Sequence, residues 1–267
     1  MTAFQDLQPR LRATKRFFFF LLVLIYFFAR AAVLYVSTAD AVKRRRRLIN
    51  NTTHVGRLLM RSFNVTVVPI NVPPEAENSL LVGNHIGFID IVCLQSVVSS
   101  VFITSLDMKN TPVLGQITQL GGCTYVDRKS RISIQNELQD LVQTLKEGFK
   151  VVLYAESVAS NGEQVLPFKK TLVTAAGKAA VPIRPFVFNF ASVDGGRVKF
   201  EHRDSLCWYS DEGFAKILWR TLLLEKITVE IEFLPLVHVP EDEDRSHLAV
   251  RVHGMVSARF KPFSPSM

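Results

Sequence analysis

The chain is poor in cysteine and has no cysteine pair. Cys93, Cys123 and Cys207 are odd in number and form no Cys-x-x-Cys, which argues against a disulfide scaffold and a thiolate zinc site and suits a reducing compartment. Also missing are the Gly-x-Ser-x-Gly elbow, the Walker phosphate loop, the Gly-x-Gly-x-x-Gly turn and the His-Glu-x-x-His helix, and with them the commonest serine-hydrolase, nucleotide-binding and zinc-protease readings. Gly177-Lys178 lacks both the upstream glycine and the Ser/Thr of a phosphate loop. There is no internal repeat. No small-x-small cleavage site is evident before Asp40, so the apolar front of the chain does not read as a removable leader.

What is present is ample apolar material. Of 267 residues, 48% are hydrophobic and 21% charged, which permits a full core and excludes a disordered or collagen-like chain. The net charge of +8 is unevenly placed. Residues 1–61 hold 12 Lys/Arg against two acids, and the remainder holds 20 against 22. A nucleic-acid-binding domain would carry its excess on the folded body, so no nucleic-acid partner is expected.

The basic quarter also contains the longest apolar run. Phe17–Val36 is 20 residues with one interruption, Arg30, and a membrane span needs about 20. Positive residues flank both ends: Arg10, Arg12, Lys15 and Arg16 before, Lys43–Arg47 after. The positive-inside rule then places both ends on the cytoplasmic side. Either a helix lies in the inner face of the membrane, or Phe17–Phe28 turns back through Ala31–Val36 as a hairpin. The Lys43–Arg47 run is expected at anionic headgroups, about 1 kcal/mol per residue. Residues 1–61 therefore read as a membrane-anchoring helical segment at the cytoplasmic membrane, and 62–267 as the main folded domain, facing the cytoplasm.

Beyond residue 62 short apolar runs alternate with helical stretches. Strands are expected at Ser79–Val82, Val101–Thr104, Cys123–Val126, Val151–Tyr154, Arg184–Phe190 and Ile227–Phe233. Helices are expected at Ile91–Val98, from Pro112 to before Gly121, Ser130–Glu147, Lys170–Ala180, Asp211–Leu224 and from about Asp244 to Phe260. This alternation predicts an α/β domain with a central, mostly parallel or mixed sheet flanked by helices.

The residues that carry chemistry stand beside strand ends, where ligand sites of α/β sheets gather. In Asn84-His85-Ile86-Gly87-Phe88-Ile89-Asp90 the histidine and the aspartate are five apart. On one helix that is an offset of about 140°, and on one strand they point to opposite faces. They meet only if His85 lies in a loop and Asp90 on the following turn. A carboxylate on one ring nitrogen would fix the tautomer and support the charge gained when the other nitrogen takes a proton. A surface loop with a helix-capping aspartate is the other reading of this heptapeptide. Further candidates are the Gly121–Arg128 segment, the acid Glu156 behind Val151–Tyr154, Lys169 before a helix, and the Val181–Pro185 strand entry. Cys93 and Cys123 read as buried small apolar residues. His54, His202, His238, His247 and His253 read as structural or surface residues.

The order and spacing of these blocks resemble the glycerolipid acyltransferase family, and especially its bacterial lysophospholipid and lyso-ornithine-lipid branch. Asn84–Asp90 matches the Asn-His-x4-Asp block, Gly122–Arg128 the Gly-x-x-[Phe/Tyr]-[Ile/Val]-x-Arg block, and Val181–Pro185 the Val-Pro-[Ile/Val]-x-Pro block. The Phe-Pro-Glu-Gly-Thr block departs: here it reads Tyr154-Ala155-Glu156-Ser157-Val158, and Ala159 stands where an arginine often follows. The resemblance implies transfer of an acyl group from acyl-coenzyme A or acyl carrier protein, as co-substrate, to the hydroxyl of a lysolipid such as 1-acyl-glycerol-3-phosphate. It implies His85 as general base, Asp90 as its orienting partner, and substrate contacts at Asn84, Arg128, Glu156, Lys169 and Pro182. Arg128 would hold the acceptor headgroup, Glu156 would touch acceptor hydroxyls or fix Arg128, and Pro182 would shape the site near the thioester oxygen. No cofactor and no metal are implied. The altered third block leaves two alternatives: another lysolipid as acceptor, or a lipid-binding protein without activity on the same fold.

Overall fold

The computed structural model describes residues 3–127, 134–240 and 242–265. Two long helices open the chain, α1 (Ala3–Val36) and α2 (Ala41–Phe63). The body follows as β1 (Val65–Ile70), β2 (Leu80–Gly83), α3 (Phe88–Val97), β3 (Val101–Ser105), α4 (Leu106–Lys109), α5 (Leu114–Leu120), β4 (Thr124–Val126), α6 (Ile134–Lys146) and β5 (Val151–Tyr154). It ends with α7 (Ala175–Lys178), β6 (Ile183–Val193), α8 (Arg203–Leu206), α9 (Phe214–Leu223), β7 (Ile227–Phe233) and α10 (Arg245–Ser257). The seven strands form one sheet in the order β1-β7-β6-β2-β5-β3-β4. The β6–β7 pairing is antiparallel and every other one is parallel, so the expected mixed sheet is what forms.

Both faces of the central strands are covered, and strand alternation sorts their side chains into two layers. Leu81, Val152, Tyr154 and Phe186 join Phe63, Ile89 and Leu94 on the α2/α3 side. Leu80, Val82, Val151 and Leu153 join Leu141, Leu145, Leu248 and Val252 on the α6/α10 side. β1, which sequence reading did not assign, pairs only with β7. As an edge strand it tolerates Pro69.

The front of the chain differs from its sequence reading in three ways. α1 has no turn at Arg30; it is continuous, and the reversal comes at residues 37–40. Ala13, Phe20, Val23, Phe27 and Ala31 face the protein, while Phe18, Leu22, Ile25, Val33 and Val36 are more than 60% exposed. One helix thus has an apolar inner stripe and an apolar outer one. The Lys43–Arg47 run, expected at headgroups, is divided: Lys43, Arg46 and Arg47 are exposed, while Arg44 and Arg45 are half-buried against protein. Arg45 donates to the Gly122 carbonyl at 3.1 Å and to the hydroxyls of Thr124 and Thr144. Arg44 donates to the Thr38 carbonyl, Arg47 to the Thr38 hydroxyl and Arg46 to the Glu147 carbonyl. Arg12 and Arg16 cap the carboxyl end of α9 through the carbonyls of Leu222, Leu223, Leu224 and Glu225, a placement the helix dipole favours. The anticipated boundary at residue 61 falls within the last turn of α2.

Two expected helices are shorter than their sequence patterns. Of Lys170–Ala180 only a 3₁₀ turn (Leu172–Thr174) and α7 are helical, because the Lys169 amide is drawn to the Ala155 carbonyl at 2.7 Å and holds the preceding chain beside β5. Pro112 does not begin a helix. Val113 has φ 67° and the Leu114 amide bonds the Pro112 carbonyl, a tight γ-turn that delays α5 to Leu114. Residues 130–133 of the expected Ser130–Glu147 helix lie outside the described residues.

Candidate active site

The Asn84–Asp90 heptapeptide connects β2 to α3. His85 lies in the connection and Asp90 in the first turn of the helix. Both Asp90 oxygens are 3.1 Å from His85 Nδ1, and Oδ2 also accepts the amides of Ile86 at 2.6 Å and Gly87 at 2.8 Å. Asp90 is therefore a helix cap and a histidine partner at once: the two readings of the heptapeptide are one geometry. The N-terminal helix dipole adds to its stabilisation as a carboxylate. Asp90 is 1% exposed and the His85 side chain 17%. With Nδ1–H donated to Asp90, Nε2 is the free lone pair, and it makes no hydrogen bond with a described residue.

The backbone around His85 is held from three sides. Its amide donates to Glu156 Oε1 at 2.6 Å, and its carbonyl accepts from the Ser160 amide at 2.8 Å. The other Glu156 oxygen accepts the Leu166 amide at 2.7 Å. The Trp208 amide donates to the Ile86 carbonyl at 2.9 Å. Gly87 allows that approach, since a Cβ there would lie 2.8 Å from the Leu206 carbonyl oxygen. Burial lifts the Glu156 carboxyl to about 7, against the lowering effect of its two amide donors. The imidazole face rests on the Tyr154 ring at 4.3 Å and 17°.

His85 and Tyr154 stand in the wall of a cavity of about 650 Å³, within the range of about 300–1,000 Å³ usual for ligand pockets. Its lining is mostly apolar. It runs between α1/α2 and α4/α5, past Leu24, Leu59, Phe102, Met108 and Ile117. Cys123, expected to be buried, borders this cavity. Enclosure pushes its thiol up to about 12, which leaves it protonated and without nucleophilic character.

The other sequence-predicted site residues scatter. Asn84 is buried, and its amide both donates to and accepts from the Phe188 backbone, so it ties β2 to β6. Glu156 grips backbone amides of the site and is engaged with the His85 loop itself. Lys169 is exposed at its side chain. Arg128 lies outside the described residues. Pro182 is set at the opposite edge of the sheet: β2 and β6 run parallel, with Leu80 beside Ile183 and Gly83 beside Phe186, so Pro182 stands at the entry of β2 and His85 beyond its exit. A role for Pro182 beside the thioester oxygen does not fit that placement. Ser157, where the resembled block has glycine, takes φ 67°, the left-handed conformation that glycine adopts without strain. Sequence reading missed Tyr154, Ser160 and Trp208 as neighbours of His85. The Tyr154-Ala155 departure before Glu156 was the one available signal.

Comparison with known proteins identifies the family and the fold. A family model described as Acyltransferase matches residues 64–189. A 1-acyl-sn-glycerol-3-phosphate acyltransferase from Neisseria gonorrhoeae is 31% identical over 69% of this chain and 71% of its own. A lyso-ornithine lipid O-acyltransferase from Brucella abortus is 30% identical over 76% and 78%. The crystal structure of the 1-acyl-sn-glycerophosphate acyltransferase of Thermotoga maritima superposes with a TM-score of 0.67 at 18% identity, covering 97% of this chain and 99% of that one, which establishes the shared fold. The matched stretch contains the His85–Asp90 pair, the Glu156 clamp and the strands that carry them, and the chain belongs to the glycerolipid acyltransferase family.

Proposed function

We propose that this enzyme moves a fatty acyl group from a thioester, on coenzyme A or acyl carrier protein, to the free hydroxyl of a lysolipid, with 1-acyl-glycerol-3-phosphate as the first candidate acceptor. The observation that carries this is the His85–Asp90 pair set in the wall of an apolar cavity. His85 Nε2 takes the proton of the acceptor hydroxyl as its oxygen attacks the thioester carbon. Asp90 supports the imidazolium that results. The tetrahedral intermediate expels the thiolate, which receives the proton from His85, so no covalent acyl-enzyme forms. General-base assistance of this kind is worth about 10²–10⁴ in rate. The acyl chain lies in the cavity between α1/α2 and α4/α5.

The exposed stripe of α1 is the membrane contact. One long side of that helix packs on α2 and α9, which favours a helix lying in the inner leaflet of the cytoplasmic membrane over one that crosses it. The acceptor then comes from the same leaflet. A second acceptor, lyso-ornithine lipid, is favoured by the departure at Glu156–Ala159, where no arginine follows the acid. The test is acyl transfer by membranes containing the protein, with labelled acyl-coenzyme A or acyl carrier protein against both acceptors and His85→Ala as control. Product from 1-acyl-glycerol-3-phosphate that disappears with His85→Ala is the expected result. Product from lyso-ornithine lipid alone reassigns the acceptor, and absence of any His85-dependent product refutes the enzymatic reading.

A further inference from the structure

Tyr154 stands where the resembled block has phenylalanine, and its ring lies against the His85 imidazole. It is the last residue of β5, beside Gly83 in the register of β2, and alternation turns it toward α3 rather than α6. Gly83 offers no side chain there, and the space is taken by Phe186, whose ring meets Tyr154 edge-on at 6.0 Å. Phe102 closes another side at 6.2 Å. The open face of the ring carries the His85 imidazole, nearly parallel at 4.3 Å. Tyr154 is 8% exposed, and its hydroxyl is enclosed without a hydrogen-bond partner among the described residues. An enclosed, unpartnered hydroxyl carries a desolvation cost that a phenylalanine would avoid.

The groups that face this cluster are few. Asp90 and Cys93 come from α3, Glu156 from the exit of β5, and Cys207 from the segment behind α8. Burial keeps both thiols protonated. Burial, and after it the charge of Asp90, hold the Tyr154 phenol well above its ordinary pKa. The hydroxyl therefore remains neutral, and the Asp90 carboxylate already receives His85 Nδ1 and two backbone amides.

We propose that Tyr154 is a positioning residue of the His85–Asp90 pair, its ring fixing the plane of the imidazole. The ring decides whether Nε2 points at the acceptor hydroxyl, which sets kcat. This inference rests on the proposed roles of His85 and Asp90.

The experiment is a comparison of Tyr154→Phe, Tyr154→Leu and His85→Ala in the full-length, membrane-bound protein, with thermal midpoints as the folding control. Tyr154→Phe keeps the stack and removes the hydroxyl. It is expected to keep kcat within about threefold of wild type, because the ring is retained. Tyr154→Leu is expected to lower kcat at least about tenfold at every pH, at unchanged KM for both substrates. A Tyr154→Phe that loses kcat as far as Tyr154→Leu overturns the proposal, and so does a folded Tyr154→Leu with wild-type kcat. In either case an inert His85→Ala leaves the His85–Asp90 reading standing. A fully active His85→Ala removes that reading, and this inference with it.

Discussion

At the entry end of β2 and β6, Arg184 pairs with Glu77 and donates to the Leu234 carbonyl, while Lys150 reaches the Glu75 carbonyl. At the exit end of β2 and β5, His85, Asp90 and Glu156 are joined with one another and with backbone amides. Both clusters are charged, both are largely enclosed, and both derive from short blocks legible in the sequence. They differ in what is left over. At the entry end opposite charges meet: burial would raise Glu77, but hydrogen bonds from Arg184 and Ser79 bring it below its ordinary value. At the exit end Glu156 faces no cation of comparable strength and burial prevails, while His85 keeps an unbonded nitrogen beside a cavity. A cluster that satisfies itself ties strands together; a cluster that stops one bond short can do chemistry.

The steepest test of that contrast is Asp90→Asn. The amide cannot support an imidazolium and presents N–H toward two backbone N–H groups. We expect kcat to fall by about 10²–10⁴, with a loss of about 1 kcal/mol in stability from the weakened cap, read by turnover and by urea unfolding.

Glu156→Gln comes next. One oxygen is lost as an acceptor, the His85 loop loosens, and kcat is expected to drop about tenfold, the cost of one buried hydrogen bond. The same residue makes a pH prediction. Its carboxyl is near 4.5 unfolded and about 7 folded. Between those values the folded chain keeps a proton that the unfolded chain has released, so stability falls as pH rises across this window and levels off above it. Urea midpoints against pH should show that slope in wild type and a flatter one in Glu156→Gln.

Arg184→Met breaks the entry-end cluster. Stability should fall by about 1–3 kcal/mol with kcat preserved in the folded fraction; a loss of turnover without a loss of stability would erase the distinction between the two ends. Smallest is Ser157→Gly, expected to add about 0.5–1 kcal/mol by relieving the left-handed backbone, measured as a higher thermal midpoint.

Sequence reading reached the site and overreached around it. The five-residue spacing of His85 and Asp90 required a loop followed by a helical turn, because neither a continuous helix nor a strand brings them together, and that is how they meet. The Val181–Pro185 block was equally visible, but residue order does not say which end of a strand a motif will occupy; parallel pairing with β2 put it at the entry. The Lys43–Arg47 run was expected at anionic headgroups, yet Arg45 is turned inward and finds the Gly122 carbonyl and the hydroxyls of Thr124 and Thr144. Phe17–Phe20 could not reveal its inner face, because four consecutive phenylalanines have no period.

By itself, then, the order of residues determined the alternation of strands and helices, the apolar basic front, and the local geometry of His85 and Asp90, since each depends on neighbours within a few positions. Tertiary structure alone decided that Glu156 holds the His85 amide, that Tyr154 lies under the imidazole, that Pro182 stands away from the site, and which stripe of α1 stays uncovered. The face of Tyr154 depends on strand register, where a one-residue change would turn it to the other layer; the place of Pro182 follows from parallel pairing with β2, and the stripe of α1 from how that helix packs on α2 and α9.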